Sequence, residues 1–501
     1  MAITGVTSVA TTIVQTLAEM RSKLDDLQRQ LGTGEKSNDY AGLGPQRSLA
    51  VGLQAQLDAS QGFDDTITRI GTRLSLAQTA LTTIDQSMQD VKHTVALQNF
   101  TLGANGQTTD QQTAQGTLDT ILAALNTNDG SGYIFSGMSP DQMAVDSLSH
   151  ILDGNGTQAG LKQIIDERKQ ADVGNGLGRL VLPAAVGSAV SLSEDNATSP
   201  FGLKLAGVSS TLTNTTVTGP SGSPQSIGVN FTSNPAAGGT FTVTFTLPDG
   251  TTENVTLTAT NSSTPGQNEF TIGATPAATA ANFQAALSTA IGNVVNTSLV
   301  AASAIEAANN FFDTDASNPP QRVNGPPFNT ATSLVNGTSS NTVSWYTGEA
   351  GASAARSTAV ARVDPTMTVS FGMRANEDAL RNVVKNTAVF AAMSFSASDP
   401  NASKQYDALA SRLAVNFVPP QGTQTIQGLT TEIANAQVIA NDAKDRHKQT
   451  SATLTDLLQN IENVSPDEVG TQLLALQTNL QASLQTTAML SKLSLVNYLP
   501  S

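Results

Sequence analysis

Apolar residues recur at seven-residue spacing through the first hundred positions, and this repeat restricts the start of the chain to long helices that need helical neighbours. Val6, Ile13, Met20 and Leu27 form one ladder, and Ala10, Leu17, Leu24 and Leu31 form its partner, offset by four. Phe63, Ile70, Ala77, Ile84 and Val91 repeat the design beside Ile67, Leu74, Leu81, Met88 and Val95. Two ladders three and four residues apart draw a narrow apolar seam along one side of a helix, and a strict period of seven selects coiled-coil partners. The first helix is predicted from about Thr4 to Leu31, ended by Gly32 and Gly34. Gly32 to Pro45 holds four glycines and a proline and is expected to be a hinge or compact loop. A second long helix is expected from about Gln46 to Leu102. Its Gly52, Gly62 and Gly71 each cost roughly 1 kcal/mol relative to Ala, so packing rather than propensity must hold it. Gly103 to Gln107 breaks the pattern, and Thr109 to Leu125 resumes it.

The same period returns at the other end. Ile426, Ile433 and Ala440 lie beside Leu429, Ala436 and Ala443, and Leu454, Leu457, Leu458 and Ile461 continue the seam. Ser465-Pro466-Asp467-Glu468 reads as a helix start. A last helix presents Val469, Leu473, Leu476, Leu480, Leu484 and Leu490, followed by Leu493 and Leu495. The two ends thus carry matching seams. If they pair they must run antiparallel, and Val6, Ile13, Leu17, Met20, Leu24, Leu27 and Leu31 would meet Leu473, Leu476, Leu480, Leu484, Leu490, Leu493 and Leu495. Each fully buried Leu contributes roughly 1.5–3 kcal/mol, so either end alone is expected to be poorly held.

At 501 residues the chain is too long for one core. From about Val173 to Ser357 helical periodicity fades, and between Val186 and Val360 three basic groups stand against nine acidic ones. Phe241, Val243, Phe245 and Leu247 alternate up to a Pro-Asp-Gly turn, with Val255 and Leu257 returning, which predicts a β-hairpin. A short amphipathic helix is expected over about Thr279 to Val295, within an exposed β-rich insertion with loose loops. Helical signal resumes at Ala375. The predicted fold is mainly α with a β-rich insertion: long antiparallel helices from both termini form a coiled-coil bundle, with an outer β-containing domain in the middle.

The composition argues for self-association over catalysis. Only 13% of residues are charged, so little like-charge repulsion opposes packing against copies. The formal charge of −15 and the lack of clustered Lys and Arg speak against nucleic acid and against a basic membrane-surface helix. No stretch approaches the roughly 20 continuous apolar residues of a membrane span, and the opening residues have no apolar signal region. Cysteine is absent, which excludes disulfides and thiolate sites.

His93, His150 and His447 are far apart and lack metalloprotease spacing, so solvated or seam-edge roles are expected. Gly32-Thr-Gly-Glu-Lys36-Ser37 resembles part of a phosphate loop but follows a helix, and it reads as a hinge. The glycines at 174, 176 and 178 lack the spacing of a dinucleotide fingerprint. Asp249-Gly250 reads as a turn, and Asp25-Asp26 and Asp64-Asp65 read as solvated helix faces. Trp345-Tyr346 is expected in a core. No enzyme activity, cofactor or metal is predicted.

Several segments carry a family resemblance. Leu24 to Gly44 resembles the first helix and spoke loop of the bacterial flagellin superfamily: Leu31, Gly34 and Asn38 fall in place, whereas Ser37 replaces an Ile and the Asp pair is missing. Gly132 to Pro140 (GYIFSGMSP) resembles a motif of flagellins and of the hook–filament junction branch. Val369 to Val384 and Leu490 to Pro500 are similar to the junction-type and alphaproteobacterial branch. Met88 to Asn99 lies where related filament proteins meet an innate immune receptor, but lacks the family's arginine.

The resemblance implies a flagellar subunit supporting motility, at the junction or in the filament; a surface adhesin using the insertion is the alternative from another class. It implies six regions. Residues 1–35 would be an N-terminal coiled-coil helix, 36–145 a helical spoke and rod, 146–185 a connecting region, 186–360 the outward-facing insertion, 361–464 a C-terminal rod and 465–501 a C-terminal coiled-coil helix. It further implies type III export to the extracellular flagellum without a cleaved signal, an export chaperone, and partnership with its own copies and other axial proteins. It also implies termini that order only on assembly.

Overall fold

A computed structural model describes residues 3–314, 318–349, 351 and 353–496, excluding the side chains of 3–10, 490, 491 and 493–496. Val6, Leu490, Leu493 and Leu495 of the expected seam therefore lie outside the described residues. The chain is mixed α and β, about 53% helix and 16% strand. The helices are α1 (Ile3–Thr33), α2 (Arg47–Leu97), α3 (Thr109–Leu125), α4 (Leu148–Asp153), α5 (Leu161–Val173), α6 (Pro276–Val294), α7 (Val300–Phe312), α8 (Asp378–Ala392), α9 (Ala402–Asn416), α10 (Ile426–Glu462) and α11 (Pro466–Val496). The strands are β1 (Leu180–Val181), β2 (Ala189–Glu194), β3 (Lys204–Ser210), β4 (Thr215–Ser221), β5 (Ser226–Phe231), β6 (Thr240–Thr246), β7 (Thr252–Thr260), β8 (Glu269–Thr271), β9 (Gln321–Val323), β10 (Leu334–Asn336), β11 (Val360–Asp364) and β12 (Met367–Ser370). Two compact units result: residues 1–69, 362–368 and 438–501, and residues 70–361 and 369–437.

In the first unit, α10 lies antiparallel along the start of α2. Ala50 and Leu53 pack with Leu454, Leu458 and Ile461, and Leu43 and Leu57 close the edge of this cluster. Farther along, Ser451 meets Ser60 at 3.0 Å, His447 meets Asp64 at 2.9 Å, and Lys444 donates to Thr68 at 3.2 Å. Successive pairs keep one register because both seams share the seven-residue period.

In the second unit, α2 buries Ile70, Leu74, Ala77, Leu81, Ile84, Val91 and Val95, following the ladders read from the sequence. The N-terminus of α3 is closed by a reciprocal Thr108–Gln111 capping box. Gln111, fully buried, also donates from Nε2 to the Phe390 and Met393 carbonyls at 3.0 and 2.8 Å, tying α3 to the end of α8.

Two four-stranded sheets, in the orders β1-β2-β5-β4 and β3-β6-β7-β8, replace the expected loose loops. The predicted hairpin is β6–β7, with Phe241 opposite Leu257 and Val243 opposite Val255. Its alternation drives Phe241, Val243 and Phe245 into the core. Both sheets contribute to one apolar core with α6, whose Phe283 is the hub. The Phe283 ring meets Phe231, Phe241 and Phe270 at 5.6, 5.0 and 5.2 Å, all edge-on.

Two expectations are corrected here. The helix expected to end near Val295 continues through a π-helical turn, Val295–Leu299, into α7, because its Ala-rich apolar run is core rather than a surface face. This run, Pro276–Phe312, is long enough, and in an 18-residue window of mean hydropathy 1.3 apolar enough, to cross a membrane by length and composition, contrary to the sequence expectation. Half of that window is buried within the protein, which accounts for its apolarity.

The stretch 146–185 carries helices α4 and α5, and α5 holds buried charges. Arg168 pairs with Asp172 at 2.8 Å and lies over the Phe201 ring, and Glu167 pairs with Arg322. Trp345 is fully buried, as expected, and its Nε1 donates to the Phe312 carbonyl at 3.0 Å. Phe283→Ala is predicted to lower stability by about 3–5 kcal/mol, since three rings lose their common partner. Urea denaturation followed by Trp345 fluorescence measures it.

Candidate assembly interface

Helices α1 and α11 pack against each other in the first unit. They meet at a junction where the Val464 N–H donates to the Gly34 carbonyl at 2.9 Å and the Lys36 N–H donates to the Glu462 carbonyl at 2.7 Å. Because α1 runs into this junction and α11 leaves it, the two helices point in opposite directions.

On α1 the inward side is Ile13, Leu17, Met20, Leu24 and Leu27: the first four are half-buried and Leu27 is buried. Leu31 is 47% exposed, because the helix ends two residues later and the chain turns away. On α11, Val469 is buried and Leu473, Leu476 and Leu480 are half-buried. Leu484 is 43% exposed. The half-buried positions that follow Leu480 are Ser483 and Thr487, which keep the four-three spacing where the leucines leave it. Counting by sevens from Val469 and Leu473 would have found them; following the leucines did not.

A helix pair covers only one face of each member, and apolar surface remains outside it. Val14, Leu474 and Met489 are each 65% exposed. From Val469 to Met489 no residue is charged, and the polar positions are Gln, Thr, Asn and Ser. A further helix can settle on such a surface without stripping water from ions, and depletion of charge is a mark of the centre of protein interfaces.

The junction itself is built around Lys36, whose role the sequence reading missed. After Gly34 turns with a φ of +78°, the Lys36 ammonium reaches the C-terminus of α10. Its Nζ donates to the Asn460 and Ile461 carbonyls at 3.0 and 2.8 Å. A cation there satisfies unpaired carbonyls and complements the helix dipole. Arg29 braces the turn, donating to the Lys36 carbonyl and to Asn38, both at 3.0 Å. Asp39 then caps the 3-10 turn Tyr40–Gln46.

In the second unit, the segments Gly132–Pro140 and Val369–Val384 meet. The Ala375 N–H donates to the Phe135 carbonyl at 2.8 Å, and the Gly137 N–H donates to the Met373 carbonyl at 3.1 Å. Gly137 sits at a φ of +65° with the Glu349 carboxylate where a side chain would stand, so glycine is required there.

The remaining polar groups are arranged for structure. Asp249 is more than a turn residue: it takes a hydrogen bond from Arg412 Nε at 3.0 Å, fastening the hairpin to α9. A cleft of about 400 Å³ beside α8 contains Arg381, Lys385 and Asp313, and both cations pair with Asp313 at 3.2 Å. Burial pushes the Tyr406 phenol up to about 12. Among the described residues, no group of three or more His, Asp or Glu side chains could hold a metal ion. His93 is exposed, and His150 sits between Asp146 and Gln158. His447 and Asp64 depart from expectation. The histidine is buried in the seam and the aspartate is its partner, since helix packing brings a polar pair to a core position.

No protein-family model matches the chain, and no curated protein matches it. Lys36→Met is predicted to lower the stability of the first unit by roughly 1 kcal/mol through loss of the α10 cap, with Lys36→Arg retaining part of it. Equilibrium urea unfolding of the three proteins checks this.

Proposed function

We propose that this chain is a structural subunit of the bacterial flagellum, assembling through its terminal helices at the hook–filament junction or within the filament. The observation that carries the reading is the charge-free face of α11, whose apolar seam is only half covered by α1. Completing the burial of one such leucine is worth about 1 kcal/mol, so a row of them along two helices can drive polymerisation without nucleotide. The meeting of Gly132–Pro140 with Val369–Val384 supports the same reading, because these are two of the segments that resemble the flagellin superfamily.

In this assembly α1 and α11 form an antiparallel coiled coil lining a tube, with further copies and other axial proteins covering the apolar residues left exposed. Export through the flagellar type III apparatus to the cell exterior, with a chaperone shielding the terminal helices beforehand, follows from the same resemblance. The role is mechanical, with no catalytic step.

Removal of Leu473–Ser501 is expected to abolish polymers in electron micrographs while the thermal transition of the second unit persists; polymers of normal length from that truncation would overturn the reading. Leu476→Asp, which puts an unpaired charge into the seam, should likewise leave the chain unassembled. Immunogold labelling of intact flagella then separates the two locations: a single band at the hook marks a junction subunit, and decoration along the whole length marks the filament.

A further inference from the structure

His447 occupies a core position of the seam between α10 and α2 and is 7% exposed. Its Nδ1 lies 2.9 Å from Oδ1 of Asp64 on α2, and its Nε2 faces Oδ2 of Asp364 at 3.8 Å. Asp364 belongs to the tip, residues 362–368, of the ribbon formed by β11 and β12. The Phe63 ring stands 5.7 Å from the imidazole.

A neutral imidazole carries one N–H and one lone pair. Carboxylates facing both ring nitrogens are matched only by the imidazolium, since a neutral ring must turn its lone pair toward one of them. Asp364 is ionised throughout the range in which an imidazole titrates. The Thr366 N–H holds its carboxyl below the usual value, and Arg446 and His447 add to the effect.

One of the other charges around the ring, Arg446, shares Asp364 with it, and the rest are placed elsewhere. Arg446 reaches Asp364 at 3.6 Å, Lys444 donates to Thr68, and Asp445 pairs with Lys448 in solvent. Asp65 and Arg69 on α2 are exposed, and Arg362 on the ribbon donates to the Asp364 carbonyl.

We propose that His447 is a proton-operated latch: protonated, it fastens the ribbon tip 362–368 onto the α2–α10 seam alongside Arg446, and on losing its Nε2 proton to solvent it gives up its share of Asp364 while keeping its bond to Asp64. The latch is independent of assembly and is tested on the unassembled full chain. Hydrogen exchange of peptides covering residues 360–371 is compared at about pH 5.5 and about pH 8.5, after correction for intrinsic rates. Protection in the wild type should fall roughly threefold to fivefold at the higher pH, the size of a partly exposed ion pair. In His447→Gln and Asp364→Asn, protection should be reduced at the lower pH and change little between the two. Wild-type protection that ignores pH overturns the proposal, and so does an unchanged pH response in His447→Gln. Should His447→Gln fail to fold by circular dichroism, Asp364→Asn decides, because a full pH response persisting there also overturns it.

Discussion

The seven-residue register of α10 is the constraint on which the helical parts of this protein depend. Its buried positions step by three and four from Ile426 through Leu429, Ile433, Ala436, Ala440 and Ala443 to His447, then by seven to Leu454, and on through Leu458 to Ile461. Each side chain gains little alone, but a continuous seam gives the helix one way to lie against α2. That explains how α2 tolerates Gly52, Gly62 and Gly71. All three face open space, so they answer no close approach, and the seam on the other side must offset their cost.

Polar groups inside the packed regions make those arrangements unique. A slip of α10 by seven residues would set His447 against Leu57 or Gly71 instead of Asp64, and bury an unpaired imidazole. In the second unit, Gln111 binds two carbonyls at the end of α8, Arg168 of α5 pairs with Asp172 one turn along the same helix, and Glu167 pairs with Arg322 from β9. Breaking one such pair leaves an uncompensated buried charge, which costs far more than the pair contributes while intact. The apolar seams bring segments together, and these polar contacts reject the neighbouring registers.

The terminal pair α1 and α11 has the seam without this second kind of contact. Between Val469 and Met489 there is no charge to pair and no buried amide, and the inward side passes from leucines to Ser483 and Thr487. An interface of that kind is weakly specified by one chain and becomes favourable when more helices share it. This is the physical basis of the proposal that the chain assembles with copies of itself.

Local order along the helices was legible in the primary structure: α3 spans Thr109–Leu125 and α10 begins at Ile426, where the periodicity placed them. The β6–β7 hairpin was legible for the same reason, since period and turn chemistry are properties of neighbouring residues. The extent of the α6–α7 run was not, because an Ala-rich apolar stretch has no polar face to mark where it stops being surface. The partners of Lys36, Glu167, Asp249 and His447 were not legible either. Each lies on a segment more than a hundred residues away, and nothing local distinguishes a lysine that caps a helix from one that faces water. By itself the amino-acid order determined the long helices near both ends of the chain, which face of each is apolar and where the hairpin turns. Only the tertiary structure decided which charges are paired and which apolar positions stay uncovered, because both depend on what the rest of the chain brings alongside.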